Sequence, residues 1–104
     1  MQKKFSIFFP AYNEEKNIVK CLNGLLNQSV KADEIIIVDN NSTDNTVKIV
    51  KKYRNVKLVL EKEQGIIPSR NRGSDEAHGD IIARCDADTI VPENFVKNIK
   101  AAFK

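Results

Sequence analysis

Sulfur and imidazole chemistry are nearly absent from this chain. Its two cysteines, Cys21 and Cys85, have neither metal-ligand spacing nor a Cys-x-x-Cys context. That excludes a zinc module and a disulfide scaffold, and predicts two reduced, packed thiols. The single histidine, His78, precedes Gly79 at the end of a helix-forming stretch and reads as a C-terminal cap, not a catalytic base. No apolar run approaches the ~20 residues that span a bilayer. The strand-like run after Met1-Gln2-Lys3-Lys4 is too short for a signal peptide, and a cytoplasmic location is expected. The net charge is only +3 and the lysines are dispersed, so no nucleic-acid partner is expected. There is no internal repeat, low-complexity segment or linker. The sequons at Asn27, Asn40 and Asn41 carry little weight without a secretion signal.

What remains is 104 residues, 41% of them hydrophobic, enough for one globular domain with a modest core. The apolar pattern alternates in type. Strands are predicted at 5–9, 34–38, 56–60 and 80–85. Helices are predicted over 13–28 with Asn13 as N-cap, over a stretch capped by Ser42 or Asp44 that runs through Tyr53, over 67–78 with Pro68 in its first turn, and over 92–103. Glu34-Ile35-Ile36-Ile37-Val38 is too uniformly apolar to have a wet face. Strand and helix alternate four times with short connections, which predicts an α/β, Rossmann-like three-layer αβα fold on a mainly parallel four-stranded sheet.

Such sheets carry ligands at the carboxyl ends of their strands. The unusual polar stretches all fall there: Pro10-Ala11-Tyr12-Asn13-Glu14, Asp39 to Asp44, Glu61 to Gly65 running into Arg70-Asn71-Arg72-Gly73, and Asp86-Ala87-Asp88. Two carboxylates one residue apart at a strand end repel and resist desolvation. A hard divalent cation removes both problems, and Mg2+ or Mn2+ commonly takes one or two carboxylates plus substrate phosphates. Capping of the next helix is the structural alternative, but that helix is predicted to begin near Pro92, too far from Asp86. The stretch "DNNSTDNT" resembles the start of a calcium loop and then departs from it, with Asp44 where glycine is required and Val50 where glutamate is required. Asp39 ends an apolar strand where its carboxylate can accept from a base or ribose. Tyr12 can stack on a base or pack at a sheet edge, and Asn13 and Glu14 can bind a nucleotide or serve the first helical turn. Arg70 and Arg72 near a helix front call for an anionic partner.

"FPAYNEE", "IIIVDNNSTDNT", "GIIPSRNRG" and "CDAD", in that order, resemble the N-terminal half of a family 2 glycosyltransferase of the GT-A fold, over about Phe5 to Phe103. The resemblance implies a nucleoside-diphosphate-sugar donor, most simply a UDP-sugar, a divalent metal (Mn2+ or Mg2+), and transfer to an acceptor hydroxyl. It implies that Pro10, Ala11, Tyr12, Asn13 and Glu14 line the nucleotide pocket, with Tyr12 against the base. Asp39 contacts the base, with Asn41 beside it. Gly65, Ser69, Arg70, Asn71 and Gly73 form the next segment, whose arginine helps hold the nucleotide. Asp86 serves the ribose or a metal-bound water, and Asp88 coordinates the cation.

Several positions depart from the family pattern. Asp39-Asn40-Asn41-Ser42 stands where Asp-Asp-Gly-Ser is common, Ser69 replaces an alanine, and Thr89 replaces a third acid. The chain is about half the usual catalytic domain. It has no tryptophan for the later Arg-Trp-type motif. The expectation is one domain, 1–104, holding the donor half, with the acceptor half and its general base absent. The last strand would then be an open sheet edge, predicting self-association through it. The alternative reading is a non-catalytic nucleotide-binding or self-assembling module that keeps the fold.

Overall fold

The computed structural model describes residues 3–103. Strands and helices alternate as β1 (Phe5–Ala11), α1 (Ile18–Leu26), β2 (Glu34–Asp39), α2 (Thr46–Val50), β3 (Lys57–Leu60), α3 (Ile66–Glu76), β4 (Ile81–Arg84) and α4 (Phe95–Ala102). The sheet is wholly parallel, in the order β3-β2-β1-β4. The chain adds strands in one direction from β1 to β3. It then crosses back through α3 and places β4 on the other side of β1. With crossovers of one hand, that reversal puts α3 on the opposite face from α1 and α2. The predicted three-layer α/β fold is therefore the observed one.

Alternation along β1 divides its side chains between the two layers. Phe5, Ile7 and Phe9 join Ile35 and Ile37 of β2, Ile18, Leu22 and Leu25 of α1, Val50 of α2 and Val96 of α4 in the larger core. Phe8, Ile36, Val38 and Val59 form the smaller core beneath α3. Each such side chain, fully buried, contributes about 1.5–3 kcal/mol relative to exposure. The α3 contact depends on Gly73, where an added Cβ would lie 2.1 Å from the Phe8 ring. Pro10 is tolerated inside the central strand because β4 pairs only as far as Arg84, opposite Phe8. The amide hydrogen that proline lacks would point past the end of that ladder.

Several boundaries differ from the prediction. Helix α1 begins at Ile18, not Asn13. Asn13 has φ 51°, a left-handed conformation unlike the extended one of a helix N-cap, and its Oδ1 accepts from the amides of Thr43 and Asp44. A turn closed by the Asn17 and Ile18 amides on the Glu14 carbonyl leads into the helix. Helix α2 is only five residues, with Asn45 at the N-cap position. Asn45 makes no side-chain cap bond; Asp44 Oδ1, one residue before it, accepts from the Thr46 amide. Residues 92–94 form a turn before α4, closed by the Phe95 amide on the Pro92 carbonyl.

At the amino ends of the strands, polar groups find partners within the chain. Ser6 Oγ donates to Glu34 and accepts from the Gly79 amide. Glu34 also accepts from the His78 amide, with the His78 ring 3.3 Å away. Partial burial opposes ionisation of Glu34, but the His78 amide, the Ser6 hydroxyl and the His78 ring outweigh it and hold the carboxyl below its ordinary range. Asp33 behaves alike. Burial is outweighed by the Phe5 amide and Lys100, and its pKa is lowered. Among the described residues, no helix is long and apolar enough to cross a membrane.

Candidate functional site

The carboxyl ends of β1 and β4 flank the point where strand order reverses, and a cleft of about 530 Å³ opens there. Its walls come from all four predicted segments. Pro10, Ala11, Tyr12 and Glu14 follow β1, Asn40 follows β2, Gln64, Gly65, Ile66 and Ser69 open α3, and Asp86, Ala87 and Asp88 follow β4.

Local rules explain how each wall is presented. The Cys85 amide donates to the Phe8 carbonyl, carrying the ladder one step past β4 before the chain turns out. The Thr89 amide donates to the Asp86 carbonyl and closes a turn. Ala87 is buried between its neighbours, which leaves Asp86 and Asp88 exposed toward the cleft. Gly65 precedes α3 with φ 136°, a conformation open to glycine and rare for other residues. Ser69 Oγ donates back to its carbonyl. Tyr12 is half exposed at the mouth.

Asp39 is buried at 3% exposure and lies beside Ala11 in the β1–β2 register. One carboxylate oxygen, Oδ2, accepts from the Ser42 amide. The other, Oδ1, is buried and has no hydrogen-bond partner among the described residues. Buried polar atoms are nearly always paired, so this one marks a place for a donor.

Asp39 is not itself in the cleft lining; Asp86, Asp88 and Glu14 bring three carboxylates there, none of them ion-paired among the described residues. Their field reaches the core. Burial, then Cys85, Asp88 and Glu14, push the Cys21 thiol up to about 12. Cys85 is also raised, by burial and then by Asp86. Both thiols are free, and a raised pKa keeps them protonated and unreactive at neutral pH.

The donor set fits a hard divalent cation, because it is all oxygen. No group of three or more metal-ligating side chains is assembled among the described residues, so the protein would supply part of a coordination shell and leave the rest to phosphate and water.

Other predicted residues stand elsewhere. Asn13 spends its carboxamide on the Thr43–Asp44 turn. Asn41 is exposed with φ 68° and does not line the cleft. Arg70 and Asn71 are exposed on α3, also outside the lining. Arg72 finds its anions within the chain, at Glu76 (3.3 Å) and Glu61 (3.6 Å). The sequence reading missed Asn40, Gln64 and Ile66 as lining residues. Position after a strand end was the available signal for Asn40.

A parallel α/β sheet with an acid-lined cleft at its switch point defines a ligand-binding domain of the Rossmann-like class. The chain belongs to glycosyl transferase family 2, whose model matches residues 6–104. It is 38% identical over 90 residues to glycosyltransferase AglE of Haloferax volcanii, a match covering 80% of this chain and 30% of that protein. It is 37% identical over 106 residues to the poly(ribitol-phosphate) beta-N-acetylglucosaminyltransferase TarS of Staphylococcus aureus, covering 94% of this chain and 18% of the relative. The structure of Staphylococcus aureus TarS in complex with UDP-GlcNAc superposes with a TM-score of 0.87 at 36% identity, over 96% of this chain and 30% of that one. The mannosyltransferase PcManGT of Pyrobaculum calidifontis, in complex with GDP-Man and Mn2+, gives 0.88 at 28% identity, over 96% and 32%. The fold is thus that of the GT-A glycosyltransferases. The chain spans less than two fifths of the length of each of these relatives.

Proposed function

We propose that these residues are the donor-binding half of a metal-dependent glycosyltransferase that takes a nucleoside-diphosphate sugar, with a UDP-sugar as the first candidate. The observation that carries this reading is the unpartnered Oδ1 of Asp39. A uracil or guanine ring presents an N–H that a carboxylate can accept, and Tyr12 at the cleft mouth offers a face for stacking. Relatives crystallised with UDP-GlcNAc and with GDP-Man and Mn2+ support the same ligand class.

In this reading Asp88 holds the divalent cation, and Asp86 serves the ribose or a metal-bound water. A bound Mn2+ or Mg2+ supplies Lewis-acid stabilisation of the charge that grows on the departing diphosphate. Pro10, Ala11, Glu14 and Gly65 shape the cleft around the nucleotide. Asn13, Asn41, Arg70 and Asn71 lie outside the lining, as does Asp39, and the roles of those four rest on the family resemblance. The acceptor site and the base that deprotonates the acceptor hydroxyl are assigned to a separate half. A cytoplasmic setting belongs to the reading and is supported by the two free thiols.

Calorimetric titration of UDP and GDP, with and without Mn2+, tests it. The expected result is binding of one nucleotide that needs Mn2+ and is lost in Asp88→Ala. Failure of both nucleotides to bind would favour the self-assembling module, for which the open outer edge of β4 is the specific observation.

A further inference from the structure

Residues 86–91, which carry Asp86 and Asp88, link β4 to the turn before α4. At the near end the Cys85 amide donates to the Phe8 carbonyl. At the far end stands Gln28, which lies just past α1 and is only 2% exposed. Its Nε2 donates to the Gly24 carbonyl at 3.1 Å and to the Pro92 carbonyl at 2.5 Å. Its Oε1 accepts from the Val96 amide at 3.0 Å. Among the described residues, no other side chain hydrogen-bonds any of residues 86–92. Ala87 and Val91 pack into the larger core, and Val91 lies over Gly24, where an added Cβ would stand 3.5 Å from the Val91 carbonyl oxygen.

Two of these bonds satisfy groups that helices leave open. The Gly24 carbonyl belongs to the last turn of α1, and the Val96 amide to the first turn of α4. Asn94, at the N-cap position of α4, makes no side-chain cap bond, so Gln28 supplies the cap from another helix. The third bond reaches the Pro92 carbonyl, which also accepts from the Phe95 amide at 3.1 Å. The end of the acid loop and the start of α4 are thereby fixed at one point. Ser29 reinforces the junction, with its amide on the Glu93 carbonyl (3.0 Å) and its hydroxyl on Asn94 Oδ1 (2.6 Å). Two carbonyls face the Gln28 nitrogen and one N–H faces its oxygen, so a single orientation of the carboxamide satisfies all three. A glutamate at this position could accept from Val96 but would set its charge against the other two oxygens.

We infer that Gln28 is a positioning residue for the cation-binding loop: by tying Pro92 to α1 it holds residues 86–91 so that Asp86 and Asp88 stand at the cleft before a ligand arrives. The inference rests on the donor-site reading for its cation and on hydrogen-bond geometry for its mechanism. Gln28 does not line the cleft, so it acts through the backbone of the loop and not by contact with the ligand. A loop ordered in advance spares the binding step the cost of ordering it.

The test uses Gln28→Glu, which keeps the Val96 bond and releases Pro92, and Gln28→Met, which fills similar space and makes none of the bonds, both in the full 104-residue chain. Backbone order parameters are read for residues 86–91 in the free protein, and UDP and GDP are titrated over a range of Mn2+ concentrations. In wild type the loop should match the sheet, near ~0.85. In both variants it should fall below about 0.6 while β1 is unchanged. The Mn2+ concentration for half-maximal nucleotide binding should rise about tenfold, since ordering of the loop is now charged to binding. A side chain that serves stability alone would lower the melting temperature and leave loop order and Mn2+ requirement as in wild type. That result, in a folded variant, overturns the inference. If neither variant folds, warming the wild type decides. The Gln28 carboxamide and residues 86–91 should lose order together, and a loop that moves while the carboxamide stays ordered ends the inference. If wild type binds neither nucleotide, the donor-site reading fails, and loop order in the variants decides the inference alone.

Discussion

The two ends of the sheet carry similar residues in opposite states. At the amino ends, Glu34 and Asp33 are met by backbone amides, a hydroxyl, a histidine ring and a lysine, and their pKa values fall. At the carboxyl ends, among the described residues, Asp39 keeps an unpartnered buried oxygen, and Asp86 and Asp88 face a cleft with no cation paired to them. A charge satisfied within the chain stabilises the fold. A charge left unsatisfied stores a preference for something outside it. The difference separates structural carboxylates from ligand-binding ones in a single parallel sheet, and substitution at each end should break stability or binding, not both.

The largest effect belongs to Asp88. Asp88→Ala should lower Mn2+-dependent nucleotide affinity on the order of 100-fold, about 2.7 kcal/mol. The melting temperature should barely move, because the side chain is exposed and holds nothing together. Calorimetry and thermal unfolding on the same sample check both halves of this statement. A large drop in melting temperature would make Asp88 structural and erase the contrast.

Asp39→Asn comes next. It keeps the shape and removes the buried charge, so nucleotide affinity should fall about tenfold, or 1.4 kcal/mol. Stability should hold or rise, since the unpartnered carboxylate oxygen costs desolvation in the free protein. Denaturant unfolding reads the second effect, and a marked loss of stability would show that Oδ1 has an internal partner after all.

At the other end the signs reverse. Glu34→Gln should leave nucleotide affinity unchanged and destabilise the fold by less than about 1 kcal/mol at pH 7, a screened and partly exposed group. Its pKa in the fold lies below its ordinary value of 4.5, so its contribution is complete above that value and is lost as pH falls through the lowered one. Acid unfolding of the wild type should therefore steepen below about pH 4.5, and Glu34→Gln should flatten that limb. Unfolding curves at pH 7, 5 and 3 check it.

Much of this contrast could be read before the fold was seen, because it depends on short-range pattern. Uniform apolar runs marked the strands, and each acid of interest ended one of them: Asp39 after Ile35 to Val38, and Asp86 after Ile81 to Ala83 with Arg84 and Cys85 between. What escaped depends on partners far along the chain. Asn13 looked like a helix cap by local rules, yet its carboxamide bonds residues 30 and 31 positions on, and the helix starts later as a result. The three carboxamide bonds of Asn40 go to residues 21 to 25 positions away, where no local pattern announces them. Gly73 was read as part of a ligand motif, and its observed work is to let α3 approach Phe8.

The smallest effect lies at the sheet's side, where β4 has β1 on one flank and, among the described residues, no strand on the other. Short, charged edges usually discourage pairing. Here the charges differ in sign: Ile82 and Arg84 are exposed on one face of the strand, and Asp80, exposed just before it, accepts from the Lys4 amide through Oδ2. A parallel neighbour in register would set like charges together. An antiparallel second copy, related by a two-fold axis through Ile82, would set Asp80 of each copy opposite Arg84 of the other and Ile82 against Ile82. We propose that the chain self-associates in this way. Four residues of ladder bury far less than the ~1,000 Å² of a firm interface, so dissociation should lie near 0.1–1 mM. Light scattering across that range should show the mass rising toward a dimer, and Arg84→Asp should hold it at the monomer by facing two acids across the axis. Nucleotide affinity should be the same in both, since Arg84 does not line the cleft. A wild type that stays strictly monomeric at millimolar concentration would show that opposite charge alone does not overcome the weakness of so short an edge.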